Sequence, residues 1–140
     1  MKYRNVAFKA DAVASSKKDS RFAPSNAVDG TGRFWSFSSA KVGKLIWIRI
    51  ILPKVYPIVR IRIVNRAKPY THFVKGFNIL IDNKRCQSSV GLADNHEHRD
   101  FKCKQGMVYG KEVKLTKSIT KKSKIKFFTL TEIEVYSLYE

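Results

Sequence analysis

Apolar and polar residues alternate along this chain at a period of two, and few segments show helical spacing. The run from Ile58 to Asn65 (IVRIRIVN) sets Val59, Ile61 and Ile63 on one face and Arg60 and Arg62 on the other, as in an antiparallel strand with one wet face. Lys44 to Leu52 (KLIWIRIIL) is β-branched and aromatic, ends at Pro53, and reads as a strand buried on both faces. Shorter strands are expected at Phe77 to Ile81, Phe101 to Cys103, Lys111 to Thr116, Lys124 to Leu130 and Glu132 to Leu138, separated by clusters of Gly, Asn, Asp and Ser. Short strands at regular spacing predict an all-β fold, a sandwich or a barrel. No internal repeat or low-complexity tract interrupts the pattern, so residues 1–140 are expected to form a single domain.

A hydrophobic content of 44%, with 12% aromatic, excludes general disorder and is enough for a core at this length. No apolar run approaches the length of a membrane helix, and residues 1–20 lack the apolar stretch of a signal peptide. Met1 therefore either begins a cytosolic protein or stands before a mature secreted chain.

Charge changes the picture more. Lys and Arg number 28 against 11 Asp and Glu, a net +17 that opposes compaction and therefore speaks about partners. Seven lysines crowd one region: Lys111, Lys114, Lys117, Lys121, Lys122, Lys124 and Lys126, with Glu112 the one acid among them. Most of them are expected to decorate one sheet face and its turn as a basic stripe. Expected partners are polyanions: sulfated polysaccharide, nucleic acid or an anionic membrane surface. A homo-oligomer is compatible with the sequence.

The densest candidate chemistry is Pro24-Ser25-Asn26-Ala27-Val28-Asp29-Gly30. Pro24 opens a helical turn, Ser25 and Asn26 bond back to the backbone, and Gly30 permits a left-handed exit. Asp29 on such a stiff turn either accepts backbone N–H groups or, with nearby carbonyls, joins the oxygen cage of a Ca²⁺ ion. The only cysteines, Cys86 and Cys103, form a disulfide if the protein is secreted and remain thiols if it is cytosolic. His96-Glu97-His98 lies beside Asp94 and Asp100 but lacks a closed ligand set and reads as a solvated loop. The cluster Phe34-Trp35-Ser36-Phe37 is expected to be buried under its loop. No hydrolase, P-loop or metalloprotease motif supports an enzyme.

Read in order, Asn5-Val6-Ala7, the Pro24–Gly30 turn, Trp47-Ile48-Arg49-Ile50, Ile61 to Arg66, Arg85-Cys86, Phe101-Lys102-Cys103 and Leu130 to Tyr136 resemble the fucose-binding F-type lectins over almost the whole chain. The resemblance implies a β-jelly roll of the discoidin and coagulation-factor C-domain architecture. It implies a structural Ca²⁺ between the turn and the last strand, held by carbonyls of Asn26, Thr31 and Thr131 and carboxylates of Asp29 and Glu132, with Ser38 or Ser39 as a further ligand. Cys86 and Cys103 match the family's disulfide pair, which implies a secreted protein.

The family's fucose motif is carried over only in part. Arg66 matches the first of its two arginines. Pro69-Tyr70 stands where the family has adjacent cysteines, Phe73 replaces the second Arg, and no His occurs near Lys41. A pocket of Arg66, Lys68, Tyr70 and His72 then suits an acidic or otherwise altered glycan, since an aromatic face beside basic donors fits a sugar ring bearing acid or sulfate. Two functions follow: a lectin-like carbohydrate-binding module with a degenerate fucose site, or a sugar-independent adhesion module that binds polyanions or protein through charge.

Overall fold

A computed structural model describes residues 2–15, 23–30, 38–39, 44–66, 75–93, 95–123 and 128–139. They form β1 (Lys2–Asn5), β2 (Asp11–Ala14), a 3₁₀ turn (Pro24–Val28), β3 (Ser38–Ser39), β4 (Lys44–Val64), β5 (Phe77–Ile81), β6 (Lys84–Val90), β7 (His98–Phe101), β8 (Val108–Ile119), β9 (Phe128–Thr129) and β10 (Glu132–Tyr139). Every pairing is antiparallel. The hydrogen-bonded order is β1-β10-β4-β8-β5-β6, with β2 and β7 also on β4 and a separate β3–β9 pair.

The expected break at Pro53 is instead a bulge inside one 21-residue strand. Ile51 pairs with Glu112 and Tyr56 with Gly110, so the four residues Leu52 to Val55 stand against Lys111 alone. A proline lacks the N–H that a regular ladder needs, and an irregular stretch is where a strand accommodates it. The first half of β4 pairs with β2 and β8, the ladder to β8 resumes over Tyr56 to Ile58 beyond the bulge, and Ile58 to Val64 pairs with β10 and β7. One strand therefore belongs to both layers of an antiparallel β-sandwich, and the sheet folds over on itself around the bulge.

Burial corrects two sequence expectations. Lys44–Leu52 is not buried on both faces: Ile46, Ile48, Ile50 and Leu52 point inward, whereas Leu45 is 53% exposed. Val59 does not share the core face with Ile61 and Ile63. Between Tyr136 and Ser137 of β10 the partner residue on β4 jumps from Arg60 to Ile58, so Val59 is the extra residue and Ile58 takes its place inside. A one-residue bulge exchanges faces because the side-chain period is two.

The core joins the two halves of β4. Ile46, Ile48, Ile50, Ile61, Ile63, Phe77, Ile79, Phe128 and Val135 are all fully buried in one cluster. Phe77 packs edge-on against Phe101 at 5.8 Å and tilted against Phe128 at 5.6 Å. Each such aliphatic or aromatic side chain contributes about 1.5–3 kcal/mol of transfer free energy. Gly110 sits at a close approach, since a Cβ there would lie 2.2 Å from Ile81 Cγ2.

Strands β1, β2, β3 and β6 were not expected from the sequence. β6 (KRCQSSV) is nearly all polar, and it is ordered by its hairpin with β5 through Asp82 and Asn83, both in the left-handed region. Asp82 Oδ1 accepts hydrogen bonds from the N–H groups of Lys111 and Glu112, which pins the hairpin to β8.

Candidate functional site

The two ends of the chain meet in a hydrogen-bonded knot. Asn5 Oδ1 accepts from the N–H groups of Ala7 and Val135, and Val6 N–H donates to the Val135 carbonyl. Lys9 N–H donates to the carbonyl of Val28, so the segment after β1 holds the 3₁₀ turn in place. Pro24 occupies the first turn as expected, and Gly30 leaves it at φ 76°. A Cβ at Gly30 would meet the exposed Phe8 ring at 2.5 Å, which can shift, so it is the positive φ that calls for glycine there.

Across 102 residues of sequence, Gly30 N–H donates to both carboxylate oxygens of Glu132 at 3.2 Å. Glu132 is only 3% exposed. Burial, followed by hydrogen bonding to the Asp29 side chain, pushes its pKa up to about 8, against the opposing pull of the Gly30 N–H. The buried Glu132 carboxyl therefore lies beside the half-buried carboxyl of Asp29. Burial beside a second carboxyl favours a proton on Glu132, and a cation at that place would serve the same end. Thr131 is buried and donates its N–H to the Val64 carbonyl, and Asn26 closes the turn by donating its N–H to Ala23. Thr31 lies outside the described residues, as do the side chains of Ser38 and Ser39.

Of the expected sugar pocket, Arg66 is described, whereas Lys68, Tyr70 and His72 lie outside the described residues. Arg66 is not on a loop tip: it is 9% exposed, and its Nη1 donates to Thr129 Oγ1 of β9 at 3.2 Å. Its own N–H is held by Asn65 Oδ1, and Asn65 Nδ2 donates to the carbonyl of His96. The guanidinium is thus fixed against β9 immediately before residues 67–74. Phe34, Trp35 and Phe37 also lie outside the described residues.

Among the described lysines of the expected stripe, Lys117 departs from it. Residues three apart on a strand face opposite ways, and β8 obeys that rule. Lys117 falls on the inward side with Val113, Leu115 and Ile119, is 8% exposed, and sets its ammonium 5.9 Å from the centre of the Phe128 ring. Burial draws its pKa down from the ordinary lysine value. Lys114 faces the other way and donates to Asn83 Oδ1 at 2.8 Å. Lys111, Lys121 and Lys122 are exposed, and Lys124 and Lys126 lie outside the described residues. Period two along β8 would have revealed the inward Lys117 from the sequence.

Cys86 and Cys103 are disulfide-bonded. His96 spends its Nδ1 on the Ala93 N–H, and Asp100 is engaged by Arg62. Among the described residues no group of three or more His, Cys, Asp or Glu gathers as for a metal ion.

No family model matches the chain, and no curated protein matches it at a significant level. Solved structures do match its fold. A fucose-binding module from Streptococcus pneumoniae superposes with a TM-score of 0.77 at 20% identity, covering 97% of this chain and 99% of its own. The lectin domain of lectinolysin, solved with Lewis B antigen, gives 0.79 at 16% identity over 97% of this chain and 98% of its own. A serum fucolectin from striped bass, Morone saxatilis, gives 0.76 at 22% identity, covering 98% of this chain and 48% of its own. The sandwich is therefore the fold shared by F-type lectins and fucose-binding modules.

Proposed function

We propose that this chain, built on the fold of the fucose-binding lectins, is a non-catalytic carbohydrate-binding module whose sugar site lies beside Arg66. The observation that carries this reading is the fixed Arg66 guanidinium, braced by Thr129 where β4 gives way to residues 67–74. A preset fork of N–H donors is what hydroxyl or acid recognition needs. Fold counterparts include a fucose-binding module and a Lewis B complex. Lys68, Tyr70 and His72 follow Arg66 in place of the fucose motif, which favours an acidic or altered glycan over plain fucose. The Cys86–Cys103 bond supports an oxidising, extracellular setting.

We further read the Asp29–Glu132 pair as the seat of a structural Ca²⁺, completed by the carbonyls of Asn26, Thr31 and Thr131. The donor set fits a hard cation: two converging carboxyls, one of them buried and held protonated without a cation. A bound ion would neutralise both carboxyls and cross-link the ends of the chain.

Exposed Lys111, Lys121 and Lys122 favour a second reading, a module that binds polyanions without sugar specificity. A glycan array probed with and without excess heparin, using wild type and Arg66→Ala, separates the two. Discrete glycan signals that survive heparin and vanish in Arg66→Ala support the lectin reading. Signals that heparin abolishes uniformly overturn it in favour of the second.

A further inference from the structure

On the outer face of the sheet, Tyr3, Val59, Arg60, Lys102, Gly106 and Met107 line a cleft of about 340 Å³. It lies roughly 13 Å along β4 from Val64, which pairs with Glu132, and is thus separate from the Arg66 end. Its floor is cationic. Arg60 stacks on Tyr136 with the guanidinium 4.0 Å from the ring centre, and lies 5.7 Å from that of Tyr3. The nearest acid, Asp100, is committed to Arg62 through two hydrogen bonds of 2.7 and 3.2 Å, and reaches Arg60 only at 3.6 Å. Glu134 accepts from the Tyr136 hydroxyl. Among the described residues the Arg60 guanidinium makes no side-chain hydrogen bond, and its Nε is buried without one. A guanidinium so placed retains donors for an incoming anion.

The rim is preformed. Lys102 and Gly106 flank Cys103, whose disulfide ties the turn to β6. Gly106 N–H donates to the Cys103 carbonyl, Lys104 N–H to that of Cys86, and Gln105 Nε2 to that of Arg85. Gln87 Nε2 holds the Lys102 carbonyl. Tyr3 and Met107, 48% and 46% exposed, add apolar surface to the walls. Nothing lies within 4 Å of where a Gly106 side chain would start, so the backbone is open to close approach.

From this geometry we propose that the cleft is a second binding site for an acidic sugar residue, its carboxylate against Arg60 and Lys102 and its ring against Tyr3 and Met107. The volume is at the lower end for ligand sites and suits one ring. The anion and the ring are read from the cleft itself, and the choice of a sugar rests on the carbohydrate-binding reading above. Backbone amide shifts in the labelled protein, titrated with methyl β-glucuronide, methyl β-glucoside and inorganic sulfate, test it. Glucuronide should move the amides of Lys102, Gly106 and Met107, and the neutral glucoside should not. Lys102→Ala and Arg60→Gln should each weaken glucuronide by about tenfold, the loss of one charge-assisted contact. Met107→Glu, on an exposed position, should abolish binding and decides the matter if Arg60→Gln does not fold. No glucuronide shift at these amides, an equal response to glucoside, sulfate binding as tightly as glucuronide, or undiminished affinity in Lys102→Ala overturns the site. Failure of the Arg66 reading would appear separately, as array signals unchanged in Arg66→Ala.

Discussion

Glu132 concentrates the electrostatics of this protein in one side chain. Unfolded, its carboxyl titrates near 4.5, and in the fold near 8, so between those values the native state keeps a proton that the unfolded chain has released. Stability in chelator should therefore decline as pH rises from about 4.5 to about 8, as linkage requires for a raised carboxyl pKa. If Ca²⁺ takes the proton's place, its addition should raise the melting temperature more at pH 8 than at pH 5, and Asp29→Ala should lose that response. Thermal melts with calcium and with chelator at both pH values check this, and Ca²⁺-independent curves would remove the ion from the site. Lys117 presents the opposite sign. Lys117 as a residue is 8% exposed, and burial lowers its pKa and sets its charge against folding, so Lys117→Met should stabilise by about 1 kcal/mol. Denaturant titration measures it, and a lower midpoint would mean that the ammonium has a structural partner.

At the scale of elements, alternation and turn chemistry made much of the sandwich readable. Phe77–Ile81 and the start of β10 at Glu132 fell where period two put them, because apolar residues at alternate positions have one way to be buried. β6 escaped because its order comes from the Asp82–Asn83 turn and the disulfide, and neither depends on hydrophobicity. The single passage of β4 through both layers escaped because Pro53 ordinarily ends a strand, and a bulge carries no composition signal. Of the candidate site, the meeting of the Asp29 turn with Glu132 was legible only through the family pattern, since nothing local links residues so distant. The Arg60 cleft was not legible, because it depends on a one-residue shift at Val59. The Cys86–Cys103 bond closes a loop across a sequence separation of 17. Replacing both cysteines with serine should cost roughly 3 kcal/mol on the chain-entropy account. It should also loosen the turn that carries Lys102 and Gly106, which hydrogen exchange of the Gly106 amide would report.

For the whole molecule, the net charge of +17 predicts long-range attraction to polyanions whatever the sugar site does. Heparin affinity should fall linearly with the logarithm of salt concentration, because each neutralised sulfate releases counterions. Changing Lys121 and Lys122 to serine should flatten that slope, whereas Lys117→Met should leave it alone because its ammonium faces inward. Affinity chromatography across a salt gradient ranks the variants, and an unchanged slope in the double serine variant would exclude the turn from the contact.

The pairing of β1 with β10 has a mechanical consequence. Lys2 lies opposite Tyr139, so both ends of the described chain leave from one point. Tension applied through those ends loads the β1–β10 ladder one rung at a time, from Lys2 and Tyr139 toward Asn5 and Tyr136, and does not shear several rungs together. The ladder should open like a zipper at low force until the load reaches Asn5, whose side chain holds both Ala7 and Val135. A chain held by these two ends would lengthen slightly before its sandwich bore any strain.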